Sequence, residues 1–196
     1  MSVQSSTFKL KIQTPSDWVE TALSDFNAFL VDHASCERKA SAVGMSFVVR
    51  YPDRPEIIEP MINFAREELE HFHQVYRLIA QRNLILPPDE EDAYVGKMMK
   101  QVRFGRDERF LDRLLVSSVI EARGCERLYI VAESLPEGDL KAFYRRLARA
   151  EGTHQDLFLK LSYLYFPEGT VQKRLDEWLE IEANAITSVP YRSALH

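Results

Sequence analysis

The chain has few glycines, few cysteines and no long apolar run. Its seven glycines among 196 residues form neither a dinucleotide-binding fingerprint nor a Walker loop, so we expect no nucleotide cofactor. The two cysteines form no CxxC pair, which excludes a thioredoxin-like motif and a zinc ribbon. No apolar run approaches the ~18 residues that a membrane span requires, and the N-terminal stretch lacks the pattern of a secretory signal. The sequence therefore predicts a cytoplasmic protein that does not enter a membrane.

The composition is that of an ordinary globular protein. Hydrophobic residues make up 45% of the chain and charged residues 28%, and a chain of this length suits one core. We therefore expect residues 1–196 to form a single domain. The net charge of −5 argues against a protein that coats nucleic acid non-specifically, although a local basic patch remains compatible with it.

Apolar residues recur at helical spacing along most of the chain, and no segment shows the pattern of a strand. Candidate N-terminal caps are Thr14, Ser24 and Asp107. Residues 83–106 interrupt the pattern and form a connector between two halves. The expected helices cover residues 15–23, 25–50, 55–82, 93–102, 108–134, 139–165 and 170–187.

Each of the four long helices carries a glutamate near its midpoint, within an otherwise apolar stripe. In the second and fourth long helices a histidine follows three residues later, which places both side chains on one face of the helix. The first glutamate of each half precedes the second by 31 residues in one half and by 30 in the other. The chain thus repeats one hairpin unit, whose polar residues are Glu37, Glu68 and His71 in the first half and Glu121, Glu151 and His154 in the second.

Two such hairpins packed together would gather four carboxylates and two imidazoles at the centre of a bundle. Each buried carboxylate loses solvation worth at least several kcal/mol, so cations are needed to offset the charge. This ligand set is that of the ferritin-like di-iron or di-manganese carboxylate proteins. The predicted fold is therefore all-α: a ferritin-like four-helix bundle with residues 83–106 as its one long crossover, a short N-terminal helix and a C-terminal amphipathic helix. All six polar residues are predicted metal ligands.

Two rivals to these ligands are present in the sequence. Glu70 and His73 also form Glu-x-x-His, but they share a stripe with polar residues and are expected to face solvent. Glu126 competes with Glu121, which fits the hairpin spacing better. His33, one turn before Glu37, is expected to be a capping residue, a support for a ligand or a partly exposed side chain, and not a third imidazole ligand. The plain alternative is a helical bundle with a buried polar network and no metal.

Four segments together resemble one family of enzymes: CERKAS at 36–41, REELEHFHQVY at 66–76, EARGCERL at 121–128 and RAEGTHQDLF at 149–158. They are similar to the tRNA hydroxylases that act on 2-methylthio-N6-isopentenyladenosine at position 37 of tRNA. The resemblance covers nearly the whole chain, and REELEHFHQ also resembles the second-helix motif of the ferritin-like di-iron superfamily.

The resemblance implies a non-haem di-iron monooxygenase that uses O2 to hydroxylate the isopentenyl side chain. The six ligands named above would then bind two iron ions, with one imidazole for each iron. A separate electron-donor protein would supply two electrons, because the chain carries no redox motif of its own.

Support for tRNA binding comes from two basic runs, at residues 97–113 and 141–149. The candidate contacts to RNA are Arg103, Arg106, Arg145, Arg146 and Arg149. Charged helix faces are usually only solvated, so these residues are weaker candidates than the metal ligands.

Two other functions fit the same ligand set. An iron-oxidising or iron-storing protein would assemble into a symmetric cage, whereas a hydroxylase is expected to be a monomer or small oligomer. A di-iron hydroxylase of another substrate, such as a quinone, would carry an exposed apolar helix for docking to a membrane. A rubrerythrin-type peroxidase is excluded because it needs the cysteines of a rubredoxin. The choice between iron and manganese stays open at this stage.

Overall fold

The computed structural model describes residues 8–196, so the first seven residues of the N-terminal stretch analysed above lie outside it. Within the described range all regular structure is α-helical, which confirms the predicted fold class. The helices are α1 (Ser16–Ser24), α2 (Phe26–Arg50), α3 (Pro55–Gln81), α4 (Ala93–Met99), α5 (Arg106–Ser134), α6 (Asp139–Tyr165) and α7 (Glu168–Thr187). None of these helices is long and apolar enough to cross a membrane.

The chain divides into two compact units, each described separately below. The hairpin unit comprises Glu20–Glu90 with Tyr191–Leu195, and it contains the α2–α3 pair. The large unit comprises residues 8–19, Glu91–Pro190 and His196, and it contains α4 to α7. The expectation of a single domain stays a prediction.

Helices α2 and α3 pack closely along their length in the hairpin unit. A Cβ added at Gly44 would lie 2.8 Å from the Phe64 ring and 3.0 Å from the Met61 carbonyl oxygen, so only glycine allows this approach. The Ser41 hydroxyl donates a hydrogen bond to the Ala65 carbonyl at 2.7 Å. This close packing fixes the register in which the polar residues of α2 face those of α3.

The core of the large unit forms where α7 packs against α4 and α5. Its buried side chains include Trp178 and Leu175 of α7, Tyr94 of α4 and Val116 of α5. The apolar face of α7 is thus covered within the unit, so α7 is not the exposed docking helix that a quinone hydroxylase would carry. Helix α7 begins at Glu168, two residues before the predicted start.

The three predicted N-caps were wrong. Helix α1 begins at Ser16, two residues after Thr14, and the Thr14 hydroxyl has tertiary partners, since it accepts a hydrogen bond from Arg123 at 3.0 Å and donates one to the Glu126 carboxylate at 2.7 Å. Ser24 ends α1, and Asp25 caps α2 by accepting a hydrogen bond from the Ala28 amide at 3.0 Å. Asp107 lies inside the first turn of α5, where its charge suits the helix dipole.

Candidate metal centre

The hairpin unit holds one triad of predicted ligands, Glu37 from α2 with Glu68 and His71 from α3. Their exposed fractions are only 4%, 1% and 7%. Each residue offers a ligand atom within 4.8 Å of those of the other two. The His71 Nδ1 atom lies 3.8 Å from Glu37 Oε2 and 3.8 Å from Glu68 Oε2. The three residues therefore surround one point, as a metal-binding triad requires.

His33 supports this triad from within α2. It is fully buried, and its Nε2 atom forms a hydrogen bond of 2.6 Å with Glu37 Oε1. The ring lies beside Phe29, with centroids 6.0 Å apart. The bond restricts the rotation of the Glu37 carboxylate and leaves its other oxygen near His71. Of the roles that the sequence leaves open for His33, this geometry fits the support of a ligand, and the burial of the ring does not fit a partly exposed side chain.

The large unit holds the second triad, Glu121 from α5 with Glu151 and His154 from α6. Glu151 and His154 are 4% and 2% exposed, and Glu121 is half-buried. Their ligand atoms also lie within 4.8 Å of one another. His154 Nδ1 forms a hydrogen bond of 2.9 Å with Glu151 Oε2. The i,i+3 spacing again places the carboxylate and the imidazole one above the other.

The donor set of each triad fits a divalent cation. Two carboxylates and a neutral imidazole carry a charge of about −2, which one divalent ion neutralises. Without a cation, buried like charges repel each other and lose solvation worth several kcal/mol each. Oxygen and imidazole donors suit iron or manganese, whereas thiolate-preferring metals would need sulfur ligands.

Cys125 packs beside the second triad as a neutral side chain. It is 8% exposed, and its Sγ atom donates to the Ala148 carbonyl at 3.4 Å. Burial, together with the charges of Glu151 and Glu121, raises the pKa of the thiol to about 12. A Cβ added at Gly152 would contact this sulfur at 3.6 Å. Cys125 is therefore a filler against α6, as its spacing in the sequence suggests.

The rival ligands occupy other places. The side chains of Glu70 and His73 are 57% and 51% exposed, so this Glu-x-x-His pair faces solvent. Glu126 accepts hydrogen bonds from the Thr14 amide and hydroxyl and from Arg123. The structure places Glu121, and not Glu126, with Glu151 and His154.

A comparison with family models matches residues 1–196 to the tRNA-(MS2IO6A)-hydroxylase family (MiaE). The chain belongs to this family. A tRNA 2-(methylsulfanyl)-N(6)-isopentenyladenosine(37) hydroxylase from Pseudomonas putida KT2440 is 33% identical over 93% of this chain and 89% of its own length. A protein of the same name from Salmonella typhimurium LT2 is 34% identical over 68% of this chain and 48% of its own length.

A solved structure is similar over nearly all of the chain. It is described as protein 43 with aldehyde deformylating oxygenase activity, from Synechococcus. The TM-score is 0.90 at 35% sequence identity, and the match covers 95% of this chain and 94% of the other. The ferritin-like fold predicted from the ligand pattern is confirmed by this likeness.

This member of the hydroxylase family also has a buried ion pair that the sequence pattern did not reveal. Arg123 of α5 and Glu182 of α7 are both fully buried, with Nε donating to Oε1 at 2.8 Å. Arg123 also donates to the Ile12 carbonyl at 2.8 Å. The two residues lie 59 positions apart in the sequence, on different helices. Such a pair has no periodic signal.

The five candidate RNA contacts differ in their surroundings. Arg145 forms a bidentate ion pair with Glu133, at 2.7 and 2.9 Å. Arg103 binds Asp112 through its backbone amide and its guanidinium group. Exposed side chains are found at Arg106, Arg146 and Arg149.

Proposed function

We propose that this protein hydroxylates the isopentenyl side chain of 2-methylthio-N6-isopentenyladenosine at position 37 of tRNA. In the overall reaction one atom of O2 enters the substrate, while two electrons and two protons reduce the other to water. The observation that carries the proposal is the pair of buried Glu, Glu, His triads in a chain that belongs to the hydroxylase family.

The six residues of the two triads would hold two iron ions. When bound, iron would activate O2 for hydroxylation of an unactivated C–H bond. The acid and base groups of a protein cannot perform this reaction by themselves. The chain itself supplies four carboxylates that neutralise the metal charge and two imidazoles that complete the ligand set. His33 orients Glu37 through their 2.6 Å hydrogen bond, and Cys125 stays protonated beside Glu121 and Glu151. The support for this ligand assignment is the burial and mutual distance of the side chains.

The proposal includes two partners, a location and an oligomeric state. The substrate is tRNA, and an anticodon stem-loop is the smallest part that carries position 37 in its loop context. Two electrons come from a separate donor protein, because the chain has no redox motif of its own. We place the reaction in the cytoplasm, with the enzyme as a monomer or small oligomer.

Reconstitution tests this function directly. Protein loaded with iron is incubated with a reductant, O2 and a stem-loop that carries the modified adenosine, and the nucleosides are analysed by mass spectrometry. We expect a gain of one oxygen atom, which Glu68→Ala abolishes. Glu70→Ala is the matched control, because Glu70 lies on the same helix but faces solvent. Protein that holds two irons per chain and adds no oxygen would contradict the proposal.

A second candidate is an oxygenase that removes the formyl group of an aldehyde. It is favoured by the Synechococcus protein, whose name carries that activity and whose structure matches at a TM-score of 0.90. The same reconstituted protein, given a long-chain aldehyde in place of RNA, tests this candidate by the loss of the formyl carbon. Turnover of the aldehyde without turnover of the stem-loop would select it over tRNA hydroxylation.

A further inference from the structure

Phe104 lies in the turn between α4 and α5 with 91% of its side chain exposed. This is the largest exposed fraction among the large hydrophobic side chains of residues 8–196. An exposed aromatic ring next to basic residues is a common element of RNA-binding surfaces, where bases stack on the ring.

The turn that carries Phe104 is fixed by a buried carboxylate. Asp112 is fully buried and accepts hydrogen bonds from the Arg103 amide at 2.9 Å and from its Nε and Nη2 at 3.0 and 2.8 Å. It also accepts from Arg174 Nε at 2.7 Å and Nη2 at 2.8 Å. Val102, two residues before Phe104, is buried in the core of the large unit. The ring is therefore held outward by an anchored backbone.

The charge around Phe104 is opposite to that of the whole chain. Residues 97–109 contain five basic and two acidic side chains, in a chain of net charge −5. Lys97 is engaged with the Ser188 carbonyl and hydroxyl. The side chains of Lys100 and Arg106 are exposed on either side of the turn. A partner that offers both negative charge and flat π-faces matches this surface, and nucleic acid has both.

We propose that Phe104 is a stacking platform for a base of the tRNA substrate, with Lys100 and Arg106 against neighbouring phosphates. This inference rests on the proposed function. Helix α5 rises about 22 Å from Arg106 to Glu121, at about 1.5 Å per residue. The stacked base is therefore a nucleotide other than the one that is hydroxylated, and the contact positions the RNA without taking part in the chemistry.

Binding of a fluorescently labelled, unmodified anticodon stem-loop tests the contact independently of turnover. Fluorescence anisotropy is measured over a range of salt concentrations for wild type, Phe104→Ala, Phe104→Tyr and Phe104→Leu. We expect the alanine and leucine variants to bind roughly fivefold to a hundredfold more weakly with an unchanged salt slope, and tyrosine to bind as wild type. Lys100→Gln is expected to lower the slope of log K against log salt by about 0.7–0.9.

Ile85→Ala is the matched control, because Ile85 is 86% exposed in a connector of the other unit. Thermal melting checks that all variants are folded. The proposal is overturned if Phe104→Ala binds as wild type, or if leucine replaces phenylalanine without loss. It is also overturned if Phe104→Ala slows only the delivery of electrons from a donor protein, since the surface then serves an acidic protein.

The outcomes separate this inference from the proposed function. If the wild-type protein binds and hydroxylates the stem-loop and Phe104→Ala does so equally well, only the stacking contact is refuted. If the wild-type protein neither binds nor hydroxylates the stem-loop, both the stacking contact and the proposed function are refuted. A higher KM with an unchanged kcat in Phe104→Ala supports the contact, because loss of a positioning group that is remote from the reacting centre leaves the chemical step intact.

Discussion

Substitution of Glu68 by Gln is expected to change stability with opposite signs in the metal-free and the metal-loaded protein. Glu68 is 1% exposed and shares its triad with Glu37, another buried carboxylate. Without metal, removal of one negative charge relieves repulsion between the two. With metal, the same change removes a ligand and with it part of the binding energy that stabilises the fold.

The magnitude follows from the geometry of the triad. Ligand atoms of Glu37 and Glu68 lie within 4.8 Å of each other, and two unit charges at that upper limit repel each other by about 3.5 kcal/mol at an effective dielectric constant of about 20. Relaxation of the side chains reduces this value, so we expect a gain of about 1–3 kcal/mol for metal-free Glu68→Gln. At about 2–4 °C per kcal/mol for a chain of this size, the midpoint of thermal unfolding rises by several degrees.

The assay is thermal and urea unfolding of each variant after chelation and after loading with Fe²⁺ under anaerobic conditions. Glu70→Gln is the control, because Glu70 is on the same helix and its side chain is 57% exposed. It should change stability little in either state. If Glu68→Gln destabilises the metal-free protein as much as the loaded one, Glu68 is a structural hydrogen-bonding group, and the reasoning that assigns it to a metal is refuted.

Three further predictions concern residues of the large unit. Cys125 should resist iodoacetamide at pH 8 while half-buried Cys36 reacts. The reason is that a thiol pKa of about 12 in place of 9.0 leaves about a thousandfold less thiolate at Cys125. Equal labelling of the two cysteines, measured by mass spectrometry, would contradict this prediction. Asp112→Asn should cost about 3–5 kcal/mol in urea unfolding at neutral pH. Burial raises the pKa of Asp112, but its two arginine partners lower the pKa overall. The contribution of Asp112 to stability is therefore fully present above the unfolded pKa near 3.8, and it is lost as the pH falls through the lower pKa of the folded state. Glu182→Leu should destabilise by a similar ~3–5 kcal/mol, and Arg123→Met added to it should recover part of the loss; additive losses would show that the two side chains are not coupled.

Most of the fold was predictable because long helices repeat their apolar residues over many turns. The ends of α2, α3, α5 and α6 fall within two residues of the predicted positions. The helix caps were not predictable, since a capping group is one side chain with several competing partners. Thr14 illustrates this, because its hydroxyl binds a carboxylate that is 112 residues away in the sequence.

The two triads could be predicted because each ligand lies in an apolar stripe where a charged residue is out of place. Duplication of the hairpin supplied a second, independent indication, and it separated Glu121 from Glu126. The buried pair of Arg123 and Glu182 gave no such indication, because its two members lie 59 residues apart in the sequence, on different helices. A polar group inside an apolar stripe is thus visible in a sequence, whereas the partner of a buried polar group is visible only in the structure.

The metal ligands alone do not decide between an RNA and an aldehyde as substrate, because one ferritin-like scaffold supports both the hydroxylase family and the Synechococcus oxygenase. The difference has to lie in residues that meet the substrate outside the ligand set. The basic turn with its outward aromatic ring is the feature that, on our proposal, favours RNA over an aldehyde, because RNA offers both negative charge and π-faces. The kcat/KM for an RNA substrate should therefore fall steeply with salt, whereas turnover of an aldehyde should not. A kcat/KM for the stem-loop that does not change with salt would show that the basic turn does not contribute to substrate specificity.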